Sequence, residues 1–575
     1  MSGLVKPVDD RLTFSQKVAR LRKRLHEPEW RRYGAKLLLG KAIALAIMAL
    51  IIFVGPHVPD MLLGGSSAMA QTTAPAVDPA ESVKKIDMIN AVNTGWVLLG
   101  AFLVFGMQAG FTMLEAGFCR SRETVNVLVE CVFDTCVCGI LHWGWGFAFM
   151  FGGGNAFVGW HMPGDPSKSL IFMSGVQMLD TYGSSGIPIF AHYLFQFAFA
   201  DCASTICSGA MVGRTRFIGD VIYSIGVSGF IYPIFGHWCW GPDGFLATMG
   251  SEGNFLASLG MNFHDFAGST VVHSIGGWVA IAGAICLGPR LGRRFKRDGG
   301  GPMLPHDLTI AVIGGLILWF GWYGFNPCST LSIMDNVGVG RVATNTTLAA
   351  CTGGIAACLL MLAMVKKWDT AAIVNGFLAG LVSITCPCYW VSPVGACAIG
   401  AVGGVLVILA MEMLESLRID DPVGAFPVHG VCGIWGTVCL GLFASGEYQA
   451  AGSSPFGVPP IVAGSPEALT GLFYGGGTKV LMAQIVGSAI VCAATFASAM
   501  AMFGVLRAMK LLRVAKEGEQ LGLDLDQHGI SAYPEYVISA LTAPHGMGRD
   551  TVGSGNVPRA SENGAERERE LVGMK

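Results

Sequence analysis

Charge is scarce in this chain. Asp, Glu, Lys and Arg make up 13% of its 575 residues, against roughly 25% in a soluble domain. A soluble fold of this size could not cover its surface with so few. The two signs nearly cancel to −2, which leaves no basic face for nucleic acid. The marks of an enzyme are missing too. Apart from one pair of histidines taken up below, no nucleophile–base set occurs, and no cysteine pair stands at zinc-ligand spacing beside a histidine. The glycine run Gly299-Gly300-Gly301 lacks the lysine and Ser/Thr that follow in a phosphate-binding loop. These absences argue against an enzyme, a resident metal and a cofactor. The 17 cysteines are odd in number and sit mostly in apolar runs. Their densest groups, Cys131/Cys136/Cys138 and Cys386/Cys388, read as small packing residues rather than ligands or disulfides.

What is abundant points to lipid. The chain is 52% hydrophobic and carries 80 glycines, about twice the usual share, as suits helices packed closely in a bilayer. Residues 1–70 resemble an elongated secretory signal. A basic stretch ends in Arg31, Arg32, Lys36 and Lys41, an apolar run follows from Leu37 to Val54, and Ala68-Met69-Ala70 offers a cleavage site. The run is also long enough to be an uncleaved first helix; either way Gln71 emerges outside. A polar linker, 71–91, leads into a membrane domain, 92–508. Spans are expected near 92–118, 124–153, 185–213, 217–240, 264–288, 307–326, 340–365, 371–389, 393–416, 424–445 and 477–508. Basic residues fall on alternate joints: Arg120 and Arg122, Arg214 and Arg216, Arg290 to Arg297, Lys366 and Lys367, and Arg418. The other joints hold only Lys168. That pattern predicts eleven transmembrane helices, the mature N-terminus outside and the C-terminus in the cytoplasm. Residues 509–534 read as a cytoplasmic tail, and 535–575, rich in Gly, Ser, Pro and Glu, as disordered.

Two echoes run through the spans. Asp265-Phe-Ala-Gly-Ser-Thr-Val-Val-His273 and Asp421-Pro-Val-Gly-Ala-Phe-Pro-Val-His429 both read D-x7-H near the start of a span. Phe199-Ala-Asp-Cys202-Ala-Ser204 and Phe325-Asn-Pro-Cys328-Ser-Thr330 both read F-x-x-C-x-[ST]. The fifth span enters from outside and the tenth from inside, so matching motifs run in opposite directions. An all-α integral membrane protein built as a five-plus-five inverted repeat, with one C-terminal helix left over, would produce this.

His273 and His429 carry the functional expectation. Eight residues beyond an aspartate at 1.5 Å per residue puts each about 12 Å deep, entering from opposite faces. Ionisable side chains there usually line a path. Two histidines each bonded to a separate neighbouring helix is the plainer alternative. A neutral pair sharing one proton supplies a donor and an acceptor without burying a charge. Asp265 and Asp421 read as structural residues capping helix starts.

Taken together, five segments resemble ammonium transporters of the Amt/Mep/Rh family. They are FGMQAGFTMLEAGFCRSR (105–122), DFAGSTVVHS (265–274), WFGWYGFNPCS (319–329), DDPVGAFPVHGVCGIWG (420–436) and GLDLDQHGISAY (522–533). The DDP form and Trp240 favour the Amt branch. The resemblance, covering about 92–534, implies twin pore histidines at His273 and His429. It implies a phenylalanine pair, Phe199 and Phe325, closing the outer mouth. Trp240 and Ser329, with Phe199, would recruit the cation, while Gln196, Trp322 and Asn326 neighbour that site and line the pore. Asp265 would organise the site without touching ligand. Also implied are a homotrimer with one pore per subunit, nitrogen uptake, and a PII-type regulatory protein docking on the cytoplasmic side, while the signal-like N-terminus points to a bacterial inner membrane.

The chain departs from the family pattern in places. Pro327 and Cys328 stand where an Ala-Gly pair is common, and Gly213 where many relatives have glutamate. The joint 241–263 is longer than the family's shortest. An ammonium sensor is the first rival, though 535–575 is too short and polar for a signalling domain. A conduit for another small neutral molecule is the second.

Overall fold

The computed structural model describes residues 85–182, 186–447 and 469–534. The signal-like segment, most of the linker and the 535–575 tail lie outside the described residues. Nine helices among the described residues are long and apolar enough to cross a membrane. They are α1 (Lys85–Phe118), α2 (Ser121–Phe151), α4 (Phe217–Trp240), α5 (Ser269–Leu287), α6 (Leu308–Phe325), α7 (Asn336–Val365), α9 (Pro393–Leu417), α10 (Phe426–Phe443) and α11 (Lys479–Ala508). Two further helices fall where spans were expected. The third, α3 (Ile189–Gly209), is long enough, but its His192, Gln196, Asp201 and hydroxyl residues dilute its hydropathy. The eighth, α8 (Thr370–Thr385), has 16 residues, about 24 Å of helix against a hydrocarbon core of about 30 Å.

Four successive helices start on a side-chain cap. Asp307, Asp335, Asp369 and Ser392 each accept a backbone N–H from the first turn of α6, α7, α8 and α9, each bond worth about 1 kcal/mol. Glycine lets α1 and α6 approach closely: a methyl at Gly110 would lie 2.9 Å from the Gly314 carbonyl. A three-stranded antiparallel sheet, β1 (Gly153–Gly154), β2 (Gly159–Met162) and β3 (Asp165–Ser169), follows α2. It is tied to the far end of α4, where the Gly154 N–H donates to Asp243 at 2.9 Å.

The opposite end is tied together by the tail. Arg513 donates to the Leu287 carbonyl at 2.7 Å, and Glu519 accepts from the Leu291 N–H at 2.6 Å. Tyr533 meets His306 at 3.0 Å. A short helix, α12 (Lys516–Leu521), carries Glu519. Beside it Asp420 takes a bidentate pair from Arg290 at 2.8 and 3.0 Å, while Arg214 donates to the Asp420 carbonyl. Burial alone would raise the Asp420 carboxyl, but the Arg290 hydrogen bonds and the Arg214 charge hold it well below the usual carboxylate range.

One expectation fails on the count of helices. Phe199 lies on the third helix and Phe325 ends the sixth, positions that a five-plus-five duplication would not equate. The F-x-x-C-x-[ST] echo therefore marks two residues that meet, not two copies of one helix.

Candidate functional site

The two D-x7-H segments adopt one local structure. The Asp265 carboxylate accepts the N–H groups of Gly268 and Ser269 at 3.0 Å, Thr270 at 2.8 Å and Val271 at 2.9 Å. Asp421 accepts those of Gly424 and Ala425 at 3.0 Å and Phe426 at 2.9 Å. Each takes up the donors a helix start leaves unpaired, beside the positive end of the dipole. Both turns need a backbone with positive φ, and both have glycine for it: Gly268 at 111° and Gly424 at 83°. A wide π turn follows in each, Ser269–Ser274 and Phe426–Val431.

This corrects the depth argument. Only the second half of each eight-residue spacing is helix, so helical rise does not carry the histidines inward. They stand in the first turn of α5 and α10, and both are buried because those helices begin inside the bundle.

The histidines meet. His273 Nδ1 lies 3.1 Å from His429 Nδ1, with ring centroids 5.2 Å apart at 28°. At that distance one Nδ1 donates and the other accepts, which fixes opposite tautomers in a neutral pair. His273 also stacks on Trp322 (5.0 Å, 18°) and on Phe325 (5.3 Å, 24°). Phe325 stacks on Phe199 at 4.1 Å, which leaves no gap between the rings, and Phe199 meets Trp240 edge-on at 6.4 Å. Trp240, Phe199, Phe325, His273 and His429 thus form one unbroken column of rings. His429 also lines a small, partly open pocket with Phe111, Leu114, Glu115, Asn375 and Val428.

Hydrogen bonds hold the column in place. Trp240 Nε1 donates to the Asp265 carbonyl at 2.7 Å, so the loop that starts α5 also anchors the indole. Trp322 Nε1 donates to Thr385 at 2.9 Å, and Asn326 to Thr346 at 3.0 Å. Ser329 Oγ donates back to the Phe325 carbonyl at 2.7 Å and keeps its lone pairs for an incoming donor. Gln196 stands a turn before Phe199, and its Oε1 has no partner. Two neighbours went unnoticed in the sequence. Phe195 packs 4.7 Å from Phe199, and Phe151 lies 6.5 Å from Trp240 at 25°. The i, i+4 step from Phe195 to Phe199 was the available signal for the first; Phe151 had none.

The departures at 327–328 and 213 have structural counterparts. Pro327 to Thr330 form one 3-10 turn, with Cys328 fully buried. Gly213 has φ 83°, and the Glu123 carboxylate lies 2.7 Å from where its Cβ would be. Glu123, paired with Arg120, fills the space a side chain at 213 would take.

The family model described as Ammonium Transporter Family matches residues 95–533. Ammonium transporter Amt2 of Archaeoglobus fulgidus is 39% identical over 79% of this chain and 90% of its own length. Ammonium transporter 1 member 1 of Arabidopsis thaliana is 36% identical over 73% and 81%. Among solved structures, one described as a Sensor Amt Protein superposes with a TM-score of 0.65 at 33% identity, covering 77% of this chain and 99% of that one. Mep2 of Candida albicans gives 0.63 at 26% identity, over 78% and 92%.

Proposed function

The chain belongs to the ammonium transporter family, and we propose that it takes ammonium at an outer vestibule, strips its proton and conducts ammonia past His273 and His429 into the cell. The observation that carries this is the twin-histidine contact at the foot of a closed aromatic column. Moving bare ammonium through hydrocarbon would cost tens of kcal/mol. A Trp240 face beside Ser329 Oγ offsets part of the dehydration cost by roughly 0.5–2 kcal/mol of cation–π attraction. Past the stacked phenylalanines only a neutral molecule finds suitable surroundings. Potassium, similar in size, has no proton to give up and is refused. Gln196, Trp322 and Asn326 shape the walls, and Asp265 and Asp421 hold the two helix starts in place. Transport is electrogenic in this reading because the released proton also enters the cell.

The rest of the arrangement is part of the same proposal. Eleven spans cross a bacterial inner membrane with the tail in the cytoplasm, three copies assemble with one pore each, and a PII-type regulator docks against the tail side. The alternation of basic joints supports the orientation.

The test is an ammonium concentration jump on proteoliposomes of the purified protein, with a potassium jump and His273→Ala beside it. A saturable current seen with ammonium, absent with potassium and changed in the variant is the expected result. No current, together with tight ammonium binding that needs Trp240, would favour a sensor, the second reading that the likeness to a Sensor Amt Protein keeps in view.

A further inference from the structure

A second line of buried polar side chains lies outside the histidine column. On α2, Asn126, Glu130, Asp134, Cys138 and His142 recur at every fourth position, hence on one face, and all are buried. On α4, Asp220, Ser224, Ser228 and Tyr232 do the same. The two faces meet. Ser224 Oγ donates to Asp134 at 2.6 Å and Tyr223 donates to Glu130 at 3.2 Å, while both carboxyl oxygens of Asp220, one turn before Ser224, are buried without a partner. From α3, Asp201 approaches beside Thr135. Both helices widen into π bulges along this seam, His142–Gly146 and Val227–Ile231, joined where Trp145 Nε1 donates to the Gly229 carbonyl at 2.8 Å.

The seam holds polar atoms with nothing to bond. Both ring nitrogens of His142 and of His192, and the hydroxyl of Tyr232, are buried without a partner. His142 and His192 flank the Phe147 ring at 5.9 and 5.8 Å. Each unpaired group costs about 1–3 kcal/mol, and the usual remedy in a protein interior is bound water. Among the described residues no group has the geometry to hold a metal ion. Carboxyls buried close together with no cation beside them are accommodated by bound protons. Protons and water are therefore the occupants that fit.

Both ends lead somewhere. At the outer end His192 stacks on half-exposed Tyr182 at 4.2 Å and packs on Phe151, the ring beside Trp240. At the inner end Asn126 Nδ2 donates to Glu130 at 3.0 Å, while Asn126 Oδ1 accepts from His528 Nε2 at 3.0 Å. The Asn126 backbone N–H donates to Asp524 at 3.0 Å, so the tail caps this end.

We propose that this seam between α2, α3 and α4 is a hydrated proton path, distinct from the histidine column, running from beside Trp240 to the tail. An excess proton moves by successive transfers: an O–H bond breaks on one water or carboxylic acid as one forms on the next acceptor oxygen. No electron pair leaves the file and no redox partner is needed. The role assigned to the path rests on the reading that ammonium is deprotonated at the outer mouth: it takes that proton inward while ammonia follows the rings.

The experiment uses the full chain in proteoliposomes, with Asp134→Asn, Asp220→Asn and the milder Tyr232→Phe, which removes a single oxygen. Three readouts are taken: ammonium-evoked current, ammonia entry by internal alkalinisation, and deuterium exchange of the infrared band of protonated carboxyls. The expected result is a band that exchanges readily in the native protein and is diminished in Asp134→Asn. Current falls about a hundredfold in the two Asp variants, the lower range for losing a proton-transfer group, and less in Tyr232→Phe, while ammonia entry persists. A band that does not exchange, or current equal to the native value in all three variants, would overturn the proposal. If the native protein shows no ammonium current, the transport reading fails by itself. The exchange then decides the path alone: exchange retains it and no exchange removes it.

Discussion

The ring column and the α2–α4 seam cross the same bundle and are built on opposite principles. The column from Trp240 to His429 is aromatic, close-packed and without carboxylates; its histidines bond each other and Trp240 bonds the backbone, while His273 Nε2 is left without a partner. The seam is rich in carboxyls and hydroxyls and keeps several of them unpaired. Yet both use the same backbone device, since His273, His429 and His142 each sit in a π turn, a feature frequent at functional sites. On the proposed reading, the contrast is what keeps two cargoes apart. A dry wall of rings suits a neutral molecule, because nothing there compensates a lost hydration shell. A charged passenger needs acids and water.

The comparison can be broken at the column first. Asp265→Ala removes the acceptor of four backbone N–H groups and unsettles the loop that anchors Trp240. Ammonia entry should fall by more than tenfold, with a stability loss on the order of 3 kcal/mol for several orphaned buried donors. Stopped-flow alkalinisation and a thermal melt check this, and carboxyl exchange in the seam should be untouched.

A control outside both regions comes next. Asp420→Asn leaves Arg290 and Arg214 with an uncompensated charge, an expected loss of about 3 kcal/mol at neutral pH. Because the folded-state carboxyl is held well below its ordinary value, its stabilisation is fully present above the unfolded value near ~4. It is lost as the pH falls below that. Melting curves of native and variant protein should therefore differ at pH 7 and converge in acid. Phe325→Ala sharpens the contrast by removing a ring that packs on Phe199, His273 and Trp322: on the proposed mechanism a potassium jump on proteoliposomes should give a current in the variant, smaller than its ammonium signal, and none in the native protein. The smallest effect belongs to Cys328→Ala. Its buried sulfur packs toward Gly100 behind Ser329, and its loss should cost about 1 kcal/mol or less and shift half-saturation by no more than about twofold.

Much of the column was legible in the sequence. D-x7-H named both histidines, and the aromatic motifs named the rings above them. The length of that spacing misled, because a carboxylate cap and a glycine with positive φ turn half of it into loop. Adding the glycine to the pattern, D-x-x-G-x4-H, would have exposed the turn. The seam was equally present as a four-residue period from Asn126 to His142, but it lay inside an apolar stretch that read only as a span. Polar groups on one helix face gain meaning when a partner face, here Asp220 to Tyr232, is known to oppose them. Glu123 and Gly213 show the same limit, since filling one residue's space with another's side chain leaves no trace along the chain.

The sequence by itself determined that this is a membrane protein and where most of its helices lie, because partition into lipid depends on local composition and on satisfying backbone hydrogen bonds within each segment. Its motifs also determined the family. Only the tertiary structure decided that His273 and His429 share a hydrogen bond and that Phe325 and Phe199 stack above them. It alone decided that the polar faces of α2 and α4 meet apart from that column, through Tyr223 on Glu130 and Ser224 on Asp134. Those outcomes depend on how helices far apart in the chain cross, which is settled by packing summed over the whole bundle.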